Sequence, residues 1–168
     1  MIKLALFDVG DTLIRNNRPL PGVHTALRKI AGIQTAGGEP LVLGIVSDFL
    51  MQQPPVTEQK IQALEQQFIE LLRSARLDEF FEPPEKRITL SSRAGVNKPD
   101  RRIFELAVQR SGTGAALNEC LFVTENQNHL NACRGFGMAI LRFGSGDSGT
   151  PSFTAWSKAP LLIAQRVA

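Results

Sequence analysis

Residues 4–13 read LALFDVGDTL, and this stretch decides the fold. Its first four residues are apolar, and the run stops at Asp8, which is followed by Val9, Gly10 and Asp11. A short apolar run that ends in turn-forming residues is typical of a strand buried on both faces of a parallel sheet. Asp8 interrupts the run too early for a membrane span or for the apolar part of a secretory signal. We therefore predict a buried first strand with two carboxylates just beyond its end.

The rest of the chain alternates strand-like and helix-like segments. The predicted strands are KLALF, PLVLGIVSD, RITLSS, CLFVT and MAILRF. The predicted helices lie in PLPGVHTALRKIAG, after a cap at Thr57, in KPDRRIFELAVQRSG, in NHLNACRGF and in FTAWSKAPLLIAQRV. Five strands alternating with helices predict an α/β, Rossmann-like fold, a doubly wound parallel sheet in a three-layer sandwich.

The length and composition suit one domain. The chain has 168 residues, of which 43% are hydrophobic, and this is enough to bury a core. We expect a single domain over residues 1–168, with residues 144–152 as a flexible linker to a closing helix. That helix should bury Phe153, Trp156, Leu161 and Leu162.

Charge and cysteine usage exclude some classes of partner. The net charge of +3 is too small and too scattered for a nucleic-acid surface. Cys120 and Cys133 form no disulfide framework and lack metal-ligand spacing with either histidine. We expect a soluble, cytoplasmic protein with neither a nucleic-acid nor a membrane partner.

Polar residues follow several predicted strands, at the sheet edge where ligands of such folds bind. They are Asp8, Gly10, Asp11 and Thr12 after the first strand, Ser47 and Asp48 after the second, and Glu125 and Asn126 after the fourth, with Lys98 before a helix. A carboxylate beside a glycine turn can attack phosphorus, while amides, a hydroxyl and an ammonium group hold the phosphoryl oxygens. A second carboxylate can hold Mg²⁺. The set therefore predicts phosphoryl transfer.

The motifs resemble, in order, those of the haloacid dehalogenase (HAD) superfamily. The four matching segments are LALFDVGDTL, LVLGIVSD, GVNKPDRRIFELAVQRSG and LFVTENQNHLNACRGFGM, and together they span residues 4 to about 143. The resemblance implies a five-stranded sheet in the order 5-4-1-2-3, with the predicted strands numbered along the chain. It also implies Asp8 as nucleophile and Ser47 and Lys98 as catalytic residues. Phosphate contacts are expected from Gly10, Asp11, Thr12, Ser47, Asp48 and Lys98, and Asp8, the Gly10 carbonyl and Glu125 would hold Mg²⁺, with Mn²⁺ as the alternative.

Three positions depart from the family pattern. Gly10 stands where phosphatases of the family carry the Asp that protonates the leaving group, and such a group is typically worth about 10²–10⁴-fold in rate. Glu125 replaces a shorter Asp, and His129 stands where a second acid is expected, although Mg²⁺ prefers oxygen ligands. We expect a phosphohydrolase that is slow or of unusual specificity. The alternative is a catalytically impaired binding or scaffold protein on the same fold.

No interval is long enough for a cap domain. One predicted helix fills most of the interval between Asp8 and Ser47, and a helix, a loop and a short strand fill that between Ser47 and Lys98. An open site predicts a phosphorylated substrate that is macromolecular, or a small one enclosed by the FLMQQPP loop or by a neighbouring subunit of a homo-oligomer.

Structural interpretations compete at each position. Asp8 and Asp11 could be ordinary turn residues, Ser47 a helix cap, and Lys98 or Glu125 solvated surface groups. The order of the motifs favours the site. We expect His129 to be structural and His24 to be exposed.

Two further patterns carry less weight. Residues 144–149, GSGDSG, match a dinucleotide-binding fingerprint, but no strand–turn–helix context follows them, so we interpret them as linker. A receiver-like phosphoacceptor is disfavoured because Lys98 precedes the final acid, Glu125.

Overall fold

The computed structural model describes residues 1–51, 53–146 and 149–168. A parallel sheet lies at the centre of this part of the chain. The strands are β1 (Leu4–Phe7), β2 (Ile14–Arg15), β3 (Arg18–Pro19), β4 (Val42–Ser47), β5 (Ile88–Leu90), β6 (Cys120–Thr124), β7 (Ala139–Phe143) and β8 (Ser152–Phe153). Strands β2 and β3 form a separate antiparallel hairpin. The other strands form one six-stranded sheet in which every neighbouring pair is parallel.

The large sheet has the order β5-β4-β1-β6-β7-β8, so the central strand carries Asp8 at its end. The predicted order is confirmed for the five predicted strands. The predicted number of strands is wrong, because β8 adds a sixth at the edge. Ser152 lies in the predicted linker, yet the Arg142 amide donates to the Pro151 carbonyl and the Gly144 amide to the Phe153 carbonyl, both at 2.8 Å. Residues 147 and 148 of that linker lie outside the described part of the chain.

Helices cover both faces of the sheet. They are α1 (Val23–Ala31), α2 (Glu58–Ser74), α3 (Pro84–Arg87), α4 (Ser91–Ala94), α5 (Arg101–Ser111), α6 (Gln127–Gly135) and α7 (Ala159–Val167), with short 3₁₀ turns at Asp78–Phe81, Leu117–Glu119 and Trp156–Lys158. Thr57 caps α2 by accepting from the Lys60 amide, as predicted. Helix α5 ends at Gly112, whose φ of 68° closes the helix in the left-handed region that glycine adopts easily.

Two cores lie on opposite sides of the sheet because successive strand residues point to opposite faces. Leu4 and Leu6 of β1 belong to the core that α5 and α6 complete. Ala5 and Phe7 belong to the core that α1, α2 and α7 complete. This is the predicted doubly wound, three-layer α/β architecture.

The closing helix differs from its prediction. Helix α7 begins only at Ala159, and its buried stripe is Ala159, Ile163 and Val167. Leu161 is 64% exposed, so its predicted burial is wrong. The segment before the helix is strand and 3₁₀ turn, which shifts the helical phase while Phe153 and Trp156 stay buried.

No helix in the described part of the chain combines the length and the apolar character that crossing a membrane requires.

Candidate active site

The carboxyl ends of β1, β4 and β6 meet at one sheet edge, because these strands are parallel neighbours. Asp8 and Glu125 directly follow their strands, and Ser47 is the last residue of its strand. Lys98 reaches the same edge from the segment before α5, and its Nζ lies 2.5 Å from Asp8 Oδ1. The structure therefore brings together a nucleophile candidate, a hydroxyl, an ammonium group and a second acid.

Both carboxylate oxygens of Asp8 have hydrogen-bond donors. Oδ1 accepts from Lys98 Nζ and from the Val9 amide at 2.9 Å. Oδ2 accepts from Thr124 Oγ1 at 2.8 Å and from Thr12 Oγ1 at 3.3 Å. Asp8 is only 7% exposed, and a buried charge is stable only when it is paired and hydrogen-bonded. These contacts hold the Asp8 carboxylate in one orientation at the edge of the sheet.

Lys98 is held as firmly as the acid that it faces. Its side chain is 2% exposed, and its Nζ lies 5.7 Å from the centre of the Phe122 ring. Its backbone amide donates to Asp48 Oδ1 at 2.8 Å. The Asp48 carboxylate therefore positions Lys98. The phosphate contact expected from Asp48 stays a prediction, and its backbone amide, which has no partner among the described residues, is the donor that could make it.

Asp11 and Thr12 also have roles other than the predicted phosphate contacts. The Asp11 amide donates to the Ile14 carbonyl at 2.8 Å, and its exposed carboxylate accepts from Arg15 Nε at 2.8 Å. Thr12 is fully buried; its hydroxyl donates to Asp8 and accepts from the Glu125 amide at 3.2 Å. Because these groups are already paired, the two residues hold the loop, and the phosphate contacts expected from them stay predictions.

Glu125 is less constrained than Asp8. Its Oε2 lies 3.1 Å from Thr124 Oγ1, a hydroxyl that has one proton to share between Glu125 and Asp8. Burial raises the pKa of the Glu125 carboxyl, and the negative charge of Asp8 raises it further. The two acids thus face each other across one threonine.

The oxygen donors at this edge fit Mg²⁺. Mg²⁺ is commonly bound through one or two carboxylates and keeps several waters, and Asp8 and Glu125 supply two carboxylates. Among the described residues, the Gly10 carbonyl and amide have no hydrogen-bond partner, so the carbonyl is free to act as a ligand. The repulsion between the acids that raises the Glu125 pKa is what a cation would relieve. No group of three His, Cys, Asp or Glu side chains suited to a metal occurs in the described ranges, so waters would complete the set.

A cavity of about 220 Å³ opens beside Asp8. Gly10, Ser47 and Asp48 line one side of it. Ser47 is 5% exposed, and its hydroxyl makes only a 3.4 Å contact with the Asp48 carbonyl. The Gly10 and Asp48 amides have no partner in the described part of the chain. These lining residues therefore offer two free amides and a hydroxyl close in sequence to the ends of the strands that carry Asp8 and Ser47.

Asn126 and the two histidines, His24 and His129, are not among the predicted phosphate-binding residues. Asn126 Oδ1 caps α6 by accepting from the Asn128 and His129 amides. Burial lowers the pKa of His129, and the charge of Lys98 lowers it further, so this imidazole is neutral near pH 7. His24 is half-buried, and its Nε2 lies 3.0 Å from Glu79 Oε1.

Two residues of the site escaped the sequence analysis. Thr124 bonds both acids, and its place as the last residue of β6, directly before Glu125, was the available signal. Trp156 donates from Nε1 to the Thr12 carbonyl at 3.0 Å and so supports the nucleophile loop from the chain's far end. No local pattern could reveal that contact, because it joins residues 144 positions apart.

Comparison with known proteins supports the fold. No protein-family model and no curated protein matches the chain. A dehalogenase solved in an intermediate complex is 14% identical, with a TM-score of 0.68 over 97% of each chain. YfnB from Bacillus subtilis, described as a HAD-hydrolase bound to magnesium, is 12% identical, with a TM-score of 0.65 over 88% of this chain and 57% of its own. The core domain of a Streptococcus pneumoniae protein named as a phosphoglycolate phosphatase is 12% identical, with a TM-score of 0.61 over 97% and 96%. The chain has a HAD-like fold.

Proposed function

We propose that this chain is a HAD-like phosphohydrolase that forms an aspartyl-phosphate at Asp8 with the help of Mg²⁺. The observation that carries the proposal is the buried Asp8–Lys98 pair at the end of the central strand, next to a cavity that Gly10, Ser47 and Asp48 help to line. Neighbouring structures in the same fold include proteins named as a HAD-hydrolase and a phosphoglycolate phosphatase, which is consistent with it.

The residues act in a defined order in the proposed reaction. An Asp8 oxygen attacks phosphorus, the ester P–O bond breaks, and its electron pair leaves with the alcohol oxygen. Lys98, Ser47 and the Gly10 and Asp48 amides hold the phosphoryl oxygens while their charge changes. Water then attacks the phosphorus of the aspartyl-phosphate and releases inorganic phosphate and Asp8. Mg²⁺, held by Asp8, the Gly10 carbonyl and Glu125, would supply charge neutralisation between the nucleophile and the phosphoryl oxygens.

The lack of a side chain at position 10 sets the expected rate. No carboxyl group stands there to protonate the leaving oxygen or to activate water. Both steps are therefore slower than they would be with an acid at this position. A positioned general acid–base is typically worth about 10²–10⁴-fold, so the proposed enzyme is slow with ordinary alkyl esters.

Substrate size follows from the cavity. A volume of about 220 Å³ supports the small-substrate alternative over a macromolecule that lies across the edge. Enclosure of that substrate by a neighbouring subunit stays a prediction, to be tested by measuring the oligomeric state.

The proposal is tested with an aryl phosphate and Mg²⁺ or Mn²⁺. We expect phosphate release by the wild-type chain and its loss in Asp8→Asn, with folding checked by circular dichroism. Beryllofluoride should stabilise the wild type thermally in the presence of Mg²⁺ and leave Asp8→Asn unchanged. Absence of both turnover and beryllofluoride binding would contradict the proposal.

A binding protein with little turnover is the second candidate. It is favoured by the full set of donors on Asp8, which stabilises the resting carboxylate, and by the lack of an acid at position 10. Calorimetric titration with Mg²⁺ separates the two candidates. An enzyme should bind Mg²⁺ and lose that binding in Glu125→Gln, whereas a binding protein without the metal-dependent reaction should show no such difference.

A further inference from the structure

The cavity beside Asp8 has two kinds of wall. One side carries the free donors of Gly10, Ser47 and Asp48. The apolar part of the lining is formed by Ile14, Phe49, Phe68 and Leu71, of which Phe49 and Phe68 meet edge to face with ring centres 5.2 Å apart. A phosphoryl group held by the donors would therefore have an apolar, partly aromatic surface available to its leaving group in the same cavity.

The rim of the cavity is polar but uncharged. Asn16 and Asn17 form the turn of the β2–β3 hairpin with φ angles of 51° and 58°, which asparagine tolerates in a two-residue turn, and both line the cavity. Their amides can donate to or accept from a neutral polar group on the leaving group.

The described lining of the cavity offers no cation to a charged leaving group. Among the described lining residues none is Lys or Arg, and the only ionisable one is Asp48. Arg15 and Arg18 of the hairpin are exposed and lie outside the lining, and Arg15 is paired with Asp11. A carboxylate or a second phosphate on the leaving group would meet Asp48 without compensation, and such an unpaired charge costs affinity.

Position 10 adds a chemical restriction. Without a proton donor there, the leaving oxygen departs as an anion and takes its proton from water afterwards. Phosphate esters whose leaving groups are stable as anions are then hydrolysed far faster than esters that must release an alkoxide. Phenols meet this need, and their ring suits the Phe49–Phe68 wall.

We infer that the substrate class is a small aryl (phenolic) phosphate monoester whose aryl group carries no charge, selected by the apolar lining of Phe49, Phe68 and Leu71 and by the lack of an acid at position 10. This inference rests on the proposed phosphohydrolase function. In the reaction an Asp8 oxygen bonds to phosphorus while the P–O(aryl) bond breaks, and the phenolate leaves with that bond's electron pair and is protonated by water. Water then hydrolyses the aspartyl-phosphate to inorganic phosphate and free Asp8.

Matched substrates test the inference. The wild-type chain is assayed with Mg²⁺ on 4-carbamoylphenyl phosphate, its charged counterpart 4-carboxyphenyl phosphate, and an alkyl phosphate of similar size. We expect kcat/KM to fall about tenfold when the neutral amide is replaced by the carboxylate and at least about 100-fold for the alkyl ester. Equal rates with the alkyl or the carboxylated ester would overturn the inference. If none of the three substrates releases phosphate, the proposed function itself would be contradicted.

Two variants of helix α2 locate the preference. Leu71→Lys places a cation in the cavity wall and should close or reverse the gap between the carboxylated and the neutral ester. Leu64→Lys makes the same change at another half-buried leucine two turns earlier on the same helix, outside this cavity, and should leave the gap unchanged. If both lysines change the gap equally, long-range charge governs specificity and the cavity assignment is wrong.

Discussion

Asp8 and Glu125 end neighbouring strands at the same sheet edge, yet the structure treats these two acids differently. Asp8 accepts four hydrogen bonds and pairs with Lys98, whereas the Glu125 carboxylate shares the single proton of Thr124. The Lys98 ammonium group offsets the burial of the Asp8 charge. Glu125 has no such partner among the described residues, and burial raises the pKa of its carboxyl. The nucleophile is therefore organised before any ligand arrives, while the second acid is arranged so that a cation would stabilise it.

The largest expected effect comes from position 10, beside the first acid. Gly10→Asp should raise kcat for alkyl phosphates by about 10²–10⁴-fold, because it supplies the missing proton carrier. A Cβ at Gly10 meets no atom within 4 Å, so the position has room for the start of a side chain. Steady-state kinetics on alkyl and aryl phosphates measures the gain. Gly10→Asn is the control of equal shape, and a gain in both variants would show that acidity is not the cause.

Breaking the Asp8–Lys98 pair should affect stability next. Lys98→Met leaves Asp8 buried without its cation, and we expect a loss of about 3 kcal/mol in the free energy of unfolding. Denaturant unfolding measures it. The double variant Asp8→Asn, Lys98→Met should recover much of that loss, because no uncompensated charge remains. A double variant as unstable as Lys98→Met alone would show that lost packing of the lysine, not the charge, is responsible.

Removing the shared hydroxyl tests the link between the two acids. Thr124→Val keeps the shape but deletes the donor to Asp8, and a buried bond to a charged group is worth about 1.5–3 kcal/mol. We expect a loss of this size in chemical denaturation, with Thr124→Ser close to the wild type. A valine variant of wild-type stability would mean that Thr12 alone suffices for Asp8.

The smallest effect is expected at Glu125. Because its pKa is raised in the folded protein, wild-type stability without metal should fall as pH rises from about 4.5 through that raised value. Glu125→Gln should lack this fall and be more stable near pH 7 in a chelator, by at most about 1 kcal/mol since the group is half exposed. Thermal unfolding at several pH values measures it. Added Mg²⁺ should stabilise the wild type alone, and equal stabilisation of both would place the metal elsewhere.

The sequence was enough to predict which residues lie at the strand ends, but not which hydrogen bonds they make in the site. Asp8, Ser47, Lys98 and Glu125 could be placed at one edge because hydrophobic periodicity locates strands and parallel topology aligns their ends. The hydrogen-bond partners of Asp11, Thr12 and Asp48 could not be predicted in this way. Each has a polar partner in the fold, and hydrogen-bond partners distant in sequence leave no periodic signal.

By itself, the sequence pattern determined the doubly wound α/β sheet and the residues at its carboxyl edge, while the strand order came from the resemblance of the motifs to the HAD superfamily. Alternating apolar runs and helical stripes encode these features locally. Only the tertiary structure decided that β8 extends the sheet, that Trp156 supports the Thr12 carbonyl, and that Thr124 lies between the two acids. It also decided that Gly10 borders a small, partly aromatic cavity without a Lys or Arg in its described lining, because a cavity is formed by side chains from several separate segments.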